Sequence, residues 1–572
     1  MLAPVTDTTP LPHGVAWDEP EGDQPIDEVD DVDEVVYGPS RPAEHGPPTP
    51  VLSAIDRLLD GPGNDRLASW GVTIGIAVLA FVIRLVDLAR PANLVFDETY
   101  YAKDAYSLLK FGYERAWPES ANASIVAGNV DVYNSEAAFI VHPQVGKWLI
   151  AGGEHLFGMN SFGWRFSALV FGTLLIAVTI RLARRLSRST MIGALAGVLL
   201  TFDGLHFVMS RIALLDIFQA FFIVAAVACI VADRDFFRHR LAGHLQQRGL
   251  TSLGGQAGPW IFRPWLVASG VLWGLAIGTK WNSMFALAVA GILVVVWSVT
   301  ARRLAGAGNR SWFALLADGV PAFVSMVLLA LVVYVASWSS WLLTSGGYDR
   351  QWGADNPQAP TVKMLGPAFA SLLQYHKDIY EFHTGDYIKQ SNHPYAANPG
   401  GWLVVARPIG IDAVNDIKPG EQGCPVGGET CLRVISGMGT PVLWWLAAVA
   451  LLASLVWWIA GRDWRFGAPA VLALSTYLPW FQHMERSLFY FYAITIVPFT
   501  VICLALCLGK LLGPPGDPVT GVGMARRRQG SIAVGVVVGL VILNFAFIYP
   551  ILTDGLLTRT QWLMRMWFGS WI

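Results

Sequence analysis

Two adjacent carboxylates, Asp97 and Glu98, follow the first long apolar run of the chain, in the stretch Phe-Asp-Glu-Thr-Tyr-Tyr. A carboxylate in this position can act as a general base or help to hold a cation. Acidic residues in a first helical turn also favour the helix dipole, so we expect a helix from Glu98 to Gly112. Charge beside a membrane segment is often functional, and both interpretations can hold at once.

Basic side chains stand beside several other apolar runs, at Arg165, Arg211, Lys280 and Arg486, and Asp216 follows Arg211 closely. Each of them alone is expected to snorkel or to form an ion pair within a helix bundle. Together they place several cations on the face that holds the Asp-Glu pair. Such a set could neutralise a lipid phosphate at the headgroup level.

His142 precedes a proline, and Lys147 follows it in His-Pro-Gln-Val-Gly-Lys-Trp. Proline disfavours helix at the residue before it and permits a helix just after it, so His142 should occupy a loop-to-helix corner. A lone histidine is more often structural than catalytic. Two alternatives stay open for His142: it could be a metal ligand, or it could hydrogen-bond the acceptor.

The elements that must position these residues are membrane helices. The chain is 54% hydrophobic and 14% charged over 572 residues, which predicts an all-α polytopic membrane protein, and nothing basic enough for nucleic acid occurs. Runs long enough to span a bilayer begin near residue 67 and continue to 553. We predict about 11 of them, near 69–90, 163–184, 190–208, 211–232, 265–281, 283–300, 315–341, 439–460, 467–482, 487–510 and 531–553.

Arginine clusters give the orientation, because Lys and Arg concentrate in cytoplasmic loops. With the N-terminus in the cytoplasm, five clusters fall inside: those around Arg184, Arg238, Arg302, Arg465 and Arg527. Two long segments then lie outside, the first outer segment (91–162) and the second outer segment (342–438). Long loops of this kind are usually functional or disordered, so we expect an extracytoplasmic active face on a plasma-membrane protein, with residues 554–572 as an outer tail.

Residues 1–60 are rich in acidic residues, Pro and Gly, and they bury too little apolar surface to fold alone. The segment also lacks a basic region followed by an apolar core, so it does not resemble a signal peptide. We predict a disordered, acidic cytoplasmic tail, with a partner-binding role as the alternative.

Cys424 and Cys431 flank turn residues in the second outer segment. An oxidising outer compartment permits a disulfide between them. Two metal thiolates would be the alternative, but further cysteine ligands are missing nearby in the sequence.

These motifs resemble those of the protein O-mannosyltransferases. The family's Asp-Glu motif is matched by Phe-Asp-Glu-Thr-Tyr-Tyr with Tyr100, its His-Pro-Pro-x-Gly-Lys by the segment at His142, and its Arg-x-x-Ser-Ala by the segment at Arg165. Its Ser-Arg-x-x-Leu-Leu-Asp is matched at Arg211 to Asp216, its Lys-Trp pair at Lys280, and its late block by Tyr-Leu-Pro-Trp and Arg486. Gln144 stands where the family has a second proline, and the second outer segment is too short for the repeat module of eukaryotic members. The short second outer segment indicates a bacterial, actinobacterial-like branch, and His393 lies in an Asn-His-Pro-Tyr stretch like that of related bacterial lipid-linked glycosyltransferases.

The resemblance implies a GT-C-type glycosyltransferase. Its donor would be polyprenyl-phosphate-mannose and its acceptors Ser or Thr hydroxyls of secreted or membrane proteins, with the secretion translocon as a further candidate partner. Asp97 would be the base in one inverting displacement, and Glu98 would orient the base or the acceptor. The anionic leaving group would be held by Arg165, Lys280, Arg211 and Arg486, with Arg165 first.

Site support is expected from His142, Lys147, Asp216, Tyr100 and His393. The sequence shows no dense His, Asp and Glu cluster, so we predict no obligatory metal or other cofactor, while the Asp-Glu pair leaves room for a divalent cation. Two other functions remain open. One is transfer of another sugar, such as aminoarabinose, to a glycolipid. The other is a transporter, although transporters place their polar sites near the midplane, often in repeated halves.

Overall fold

The structure is a computed structural model that describes residues 54–58, 65–390, 392–513 and 521–572. The helices in the first half of the chain are α1 (Ala54–Leu58), α2 (Arg66–Leu85), α3 (Glu98–Phe111), α4 (Ala121–Val126), α5 (Val145–Phe157), α6 (Ser161–Ser187), α7 (Thr190–Thr201), α8 (Gly204–Met209), α9 (Asp216–Gln247), α10 (Pro264–Ile277) and α11 (Ser283–Leu304).

The helices of the second half are α12 (Ala314–Ala317), α13 (Gly319–Phe323), α14 (Leu329–Ser337), α15 (Ser339–Leu343), α16 (Trp352–Asp355), α17 (Pro360–Thr384), α18 (Asp386–Lys389), α19 (Pro441–Ile459), α20 (Trp464–Tyr477), α21 (Val497–Leu512), α22 (Gly521–Leu552) and α23 (Arg559–Leu563). The strands are β1 (Ile409–Ile417), β2 (Cys431–Gly437) and β3 (Leu556–Thr558).

Seven of the described helical segments are long and apolar enough to cross a membrane: Arg66–Leu85, Ser161–Ser187, Asp216–Gln247, Ser283–Leu304, Gly308–Ser337, Pro441–Ile459 and Gly523–Leu552. Three shorter apolar helices, α7, α10 and α21, fall within further predicted spans. The predicted helical membrane architecture is confirmed. The number of crossings, predicted as about 11, stays a prediction, because helices of 12 to 16 residues are shorter than the roughly 20 that a bilayer requires.

Helix α9 lies at the centre of the bundle and packs against α6, α10 and α11. Its most apolar window is 83% buried, whereas that of α2 is only 17% buried. A helix that is apolar all round is buried among other helices, and an apolar helix with an open face contacts lipid. Asp216 is the first residue of α9, so it is held in position by this buried helix.

The ends of the site-bearing helices are fixed by local chemistry. The side chain of Asn160 caps α6 by accepting from the backbone N–H groups of Phe162 and Gly163, at 3.1 and 3.0 Å. Helix α3 begins directly after Asp97 and stops at Gly112, whose φ of 77° is the left-handed conformation that favours glycine at a helix C-terminus. The predicted helix from Glu98 to Gly112 is confirmed to within one residue.

The second outer segment is not only helix and loop. Strands β1 and β2 pair antiparallel, and β2 pairs antiparallel with β3 from the C-terminal part of the chain. The predicted helical bundle therefore also carries a small three-stranded sheet, which the sequence did not predict. Cys424 and Cys431 are disulfide-bonded, and Cys431 begins the central strand, β2.

The sheet has a topological consequence. Because β3 pairs with β2, residues 554–572 lie at the same end of the bundle as the second outer segment. The first outer segment joins them there, since the hydroxyl of Tyr375 in α17 accepts from the N–H of Ile140 at 3.0 Å, and Arg90 pairs with Asp554 at 3.0 Å. The three parts predicted to lie outside thus share one end of the bundle.

The predicted disordered tail over residues 1–60 falls almost entirely outside the described residues. Its last described part is α1, which buries Ala54 and Leu58 in a cluster with Leu241 and Leu245 of α9. The folded part of the chain therefore begins before residue 60, because α1 buries apolar side chains that a disordered tail would leave in water.

Candidate active site

Asp97 stands immediately before α3, half-buried, at the end of the bundle where the outer segments meet. Burial raises the pKa of its carboxyl group to about 6; Lys280 opposes this rise and Asp216 adds to it. A carboxylate with such a pKa is ionised at neutral pH and is more basic than an ordinary aspartate. This raised basicity fits the expected role of Asp97 as a general base, and that role stays a prediction.

Glu98 is fully buried and satisfied by protein groups. Its Oε1 accepts from Arg165 Nε at 2.8 Å and from the Ala213 N–H at 2.9 Å. Its Oε2 accepts from Arg165 Nη2 at 2.9 Å and from the Val95 N–H at 3.0 Å. Glu98 therefore joins α3, α6 and the segment before α9. The expected role of orienting the base fits this position, but direct contact with the acceptor does not, because every carboxylate oxygen faces into the protein.

Arg165 cannot serve as the first phosphate ligand while it holds this position. Its side chain is 1% exposed, and besides Glu98 it donates to the backbone carbonyls of Leu88, Pro91 and Asn93 at 2.8 to 3.2 Å. All of its guanidinium nitrogens are engaged and its charge is neutralised by Glu98. The structure gives Arg165 a structural pairing, because the tertiary fold places its partner carboxylate one residue from Asp97, and its binding of the donor phosphate stays a prediction.

Arg211 is also used within the protein. Its Nη1 donates to the carbonyls of Arg84 and Val86 at 2.6 and 2.5 Å, and its Nη2 donates to that of Asp87 at 2.9 Å. These are the carbonyl groups at and just beyond the C-terminal end of α2, where a cation is favoured by the helix dipole. Arg211 therefore has a structural role, and its contact with a phosphate stays a prediction.

Lys280 and Asp216 form a buried ion pair at 2.7 Å between the end of α10 and the start of α9. The ammonium group also lies over the rings of Tyr492 and Phe491, at 5.2 and 5.8 Å from their centroids. It is close enough to Asp97 to oppose the rise in its pKa. Lys280 therefore remains a candidate to stabilise negative charge beside Asp97, and Asp216 fixes its position.

Lys147 and His142 have different surroundings. Lys147 is 1% exposed and is neutralised by Asp104 at 2.8 Å and Glu114 at 3.2 Å, so it ties α5 to α3 rather than lining an open site. His142 occupies the predicted corner before α5, half-buried, and its ring lies 5.4 Å from that of His383. Burial lowers the pKa of His142 well below its usual value, with Lys280 adding to the effect, so the ring is neutral at neutral pH.

Arg486 is half-buried and lies beside His383 at the last turn of α17. Its Nη1 is 3.5 Å from His383 Nδ1 and 3.4 Å from the His383 carbonyl oxygen, and its Nε is buried without a hydrogen-bond partner. Among the residues that the structure describes, no carboxylate pairs with Arg486. Of the four predicted phosphate ligands, it is the cation with the most unused hydrogen-bonding capacity.

His393 and Tyr100 have different surroundings. The ring of His393 packs edge-on against Phe489 and Phe96, with centroids 4.9 and 6.5 Å apart, and Phe96 is the neighbour of Asp97. His393 therefore borders the site. Tyr100 is 63% exposed, whereas the next residue, Tyr101, lies about 100° further round α3 and is buried. Among the described residues, no side-chain contact supports the predicted role of Tyr100 at the site.

Three side chains that the sequence did not single out take part, Asp104, Glu114 and His383, and so does Trp281, which the sequence marked only as the second residue of the Lys-Trp pair. Asp104 lies on α3 at helical spacing from Asp97, a periodicity that could have been read from the sequence. Glu114 and His383 are distant in sequence from their partners and carry no motif signal. Trp281 follows Lys280 and stacks on His376 with centroids 5.7 Å apart.

A groove of about 420 Å³ opens beside this stack. Its lining comes mainly from α17 and consists of Trp352, Thr361, Ala370, Leu373, Gln374, His376, Lys377 and Tyr380. His376 lines the groove, and its Nε2 is hydrogen-bonded to the hydroxyl group of Tyr334 at 2.6 Å. The groove is thus linked to the Lys280 region through one aromatic layer.

Within the described ranges, no three His, Cys, Asp or Glu side chains lie close enough together to hold a metal ion. This observation does not test whether the reaction uses one. The predictions of no obligatory cofactor and of room for a divalent cation both stay open to experiment. The arrangement supplies a basic carboxylate, a lysine held by Asp216 and an arginine without a counter-charge, which is a set suited to hydroxyl attack and departure of an anionic group.

Comparison with known proteins agrees with the resemblance read from the motifs. Residues 74–343 match the family described as dolichyl-phosphate-mannose-protein mannosyltransferase. The chain is 35% identical over 546 residues to a polyprenol-phosphate-mannose–protein mannosyltransferase of Mycobacterium tuberculosis, covering 94% of this chain and 98% of the relative. It is 33% identical over 512 residues to the protein of that name from Corynebacterium glutamicum, covering 88% and 93%.

The fold agrees as well. The structure of the Saccharomyces cerevisiae protein O-mannosyltransferase Pmt1-Pmt2 complex bound to the sugar donor superimposes with a TM-score of 0.63 at 12% identity, covering 88% of this chain and 93% of that one. This likeness confirms the predicted glycosyltransferase fold class. The identity to the two bacterial relatives extends over nearly the whole of each chain, and the protein therefore belongs to the family of polyprenol-phosphate-mannose–protein mannosyltransferases.

Proposed function

We propose that this protein transfers mannose from polyprenyl-phosphate-mannose to Ser or Thr hydroxyls of secreted or membrane proteins. The names of its relatives state this donor and a protein acceptor. In this chain, the main observation that supports the proposal is the half-buried Asp97. Its carboxyl group has a pKa of about 6 and interacts electrostatically with Lys280. Family membership favours this enzyme over a transporter, and no contact in the described site favours another sugar.

The proposed reaction is a single displacement. The acceptor oxygen bonds to the anomeric carbon while the bond from that carbon to the phosphate oxygen breaks, so the configuration at that carbon inverts. Asp97 accepts the hydroxyl proton, and the electron pair of the broken bond leaves on the polyprenyl phosphate. Because phosphate is already a good leaving group, cations rather than a strong acid are needed beside it. Arg486 and Lys280 are assigned this role.

The remaining predicted residues are assigned to support. Glu98 and Arg165 hold the first turn of α3, and with it Asp97, against α6. Asp216 holds Lys280, and Lys147 anchors α5, which follows His142. A base must be placed within hydrogen-bond reach of its proton, so these buried pairs contribute to rate through geometry.

We place the reaction at the outer face of the plasma membrane, with the N-terminus in the cytoplasm. The arginine distribution supports this orientation. The shared position of residues 91–162, 342–438 and 554–572 at one bundle end is consistent with it. A translocon close by would deliver unfolded acceptors to that face, and this partnership is part of the proposal.

The test is mannose transfer in proteoliposomes that contain the purified protein, radiolabelled polyprenyl-phosphate-mannose and a Ser/Thr-rich peptide. The variant Asp97→Asn keeps size and hydrogen bonding but removes basicity, so turnover should fall by about 10²- to 10⁴-fold with donor binding retained. Asp131→Asn is the matched control, since Asp131 lies in the same segment with its side chain 55% exposed. Near-normal transfer by Asp97→Asn would exclude Asp97 as the base.

A further inference from the structure

The cations at the site end of the bundle differ in how they are held. Lys147, Arg165 and Lys280 each pair with at least one carboxylate. Arg211 donates to three backbone carbonyls. Arg486, by contrast, has hydrogen bonds only to the ring and the carbonyl oxygen of one histidine among the described residues.

That histidine, His383, belongs to the second outer segment but reaches both other parts of the site. Its Nε2 lies 2.8 Å from the carbonyl oxygen of Val141, and its ring lies 5.4 Å from that of His142. On its other side, Nδ1 faces Arg486 Nη1 at 3.5 Å. One side chain therefore connects the end of α17, the corner before α5 and the arginine that follows α20.

The contacts fix the tautomer of His383. A carbonyl oxygen can only accept, so the ring nitrogen facing Val141 must carry the proton. In the neutral ring the other nitrogen, Nδ1, is then an acceptor with its lone pair toward the guanidinium. Burial lowers the pKa of His383, and the nearby Arg486 and Lys280 lower it further, so the neutral form is the one present at neutral pH.

We propose that His383 is a positioning residue that holds Arg486 in place to bind the phosphate of the lipid-linked donor. This inference rests on the proposed function. A carboxylate in the same place would orient Arg486 more strongly but would cancel its charge, as Glu98 does for Arg165. A neutral ring nitrogen orients the guanidinium and leaves the full charge, with further N–H groups, for an anionic ligand.

The position of His383 also couples two parts of the molecule. It lies in the last turn of α17, whose inner face packs Tyr375 and Ile379 against Trp338 and Trp341. Arg486 is therefore oriented only when α17 is docked on the bundle. The second outer segment therefore completes the proposed phosphate site through His383.

Two amide substitutions separate the two ring nitrogens. His383→Asn can place its carbonyl oxygen near the position of Nδ1, which keeps an acceptor for Arg486. His383→Gln can place its amide nitrogen near the position of Nε2, which keeps the donor to Val141 but not the acceptor. If His383 acts through Arg486, the Gln variant should bind the donor about 5- to 30-fold more weakly, as expected for the loss of one charge-assisted hydrogen bond, and the Asn variant should stay close to the parent protein.

The readouts are the Kd for radiolabelled polyprenyl-phosphate-mannose and the KM for the donor, with thermal unfolding as the control for folding. In an Arg486→Ala background, the difference between the two His383 variants should vanish, because the residue through which it acts is gone. The kcat at saturating donor should change less than the KM does.

The inference is wrong if the Asn variant is the weaker binder, since His383 would then act as an anchor for Val141. It is equally wrong if both variants bind like the parent, or if their difference persists in the Arg486→Ala background. Failure of the proposed function has a different signature: the parent protein would bind the donor but transfer no mannose to peptide. The binding comparison at His383 keeps its meaning in that case.

Discussion

The sharpest test of the site concerns Glu98 rather than Asp97. Each carboxylate oxygen of Glu98 accepts one hydrogen bond from Arg165 and one from a backbone N–H, of Ala213 or of Val95. Glu98→Gln replaces one of these oxygens with an amide NH2 group. In either orientation of the amide, this NH2 group faces two N–H donors and has no acceptor there. The substitution also leaves the Arg165 guanidinium, 1% exposed, without a counter-charge.

Breaking a buried ion pair by removing one partner costs about 3 to 5 kcal/mol. A protein's whole stability is typically about 5 to 15 kcal/mol, so this loss should be visible as reduced folded yield and a clearly lower Tm. If Glu98 only oriented the base or the acceptor, as the family resemblance implies, Glu98→Gln would be the milder of the two acid substitutions. The structure predicts instead that Asp97→Asn is mild for folding and severe for turnover, whereas Glu98→Gln is severe for folding.

The assay is thermal unfolding of the purified variants in detergent, followed by mannose transfer per folded molecule. Glu119→Gln, an exposed acid of the same segment, is the control and should match the parent protein. The double variant Glu98→Gln with Arg165→Gln should be less destabilised than the sum of the single variants, because neither charge is left alone. A Glu98→Gln protein with parental Tm but lost turnover would refute this reasoning and return Glu98 to the chemistry.

Three further outcomes are expected. Transfer should fall as the pH drops through about 6, because the pKa of the Asp97 carboxyl group is raised to that value and the base acts only when deprotonated. A pH profile of kcat at fixed donor occupancy checks this. A flat profile from pH 5 to pH 8, roughly one unit below and two above that pKa, would contradict it. Cys424→Ser should destabilise the second outer segment by about 2 to 3 kcal/mol, as for other short disulfide loops, measured by proteolysis of that segment with and without reductant; equal protection of both proteins would count against it. A cysteine at Ser120 should react with an impermeant reagent on intact cells and a cysteine at Gln247 should not, and labelling at Gln247 would reverse the proposed orientation.

Much of the architecture could be predicted because its causes are local. A bilayer demands long apolar helices, so hydropathy alone located the described helices that are long enough to span. The start of α3 at Asp97 and the corner at His142 follow from helix-end chemistry and from the proline after His142. The disulfide between Cys424 and Cys431 joins residues only seven positions apart, and such a pairing can be proposed from spacing.

The sheet could not be predicted in this way. Strand β3 is only three residues long and pairs with a strand more than a hundred residues earlier, so no local pattern marks it. It forms because the last long helix returns the chain to the end of the bundle where β2 already lies. The same arrangement decides that residues 554–572 are a structured part of that end and not a loose tail.

The sequence by itself determined the membrane class, the family motifs and the set of charged residues from which the site is built. It could not assign their roles, because a cation's role depends on which carboxylate lies next to it. Only the tertiary structure pairs Arg165 with Glu98, Lys147 with Asp104 and Lys280 with Asp216, and only it leaves Arg486 beside a neutral histidine. In a low-dielectric interior the partner decides whether a charge is neutralised or remains for the substrate, and partners distant in sequence are brought together only by packing.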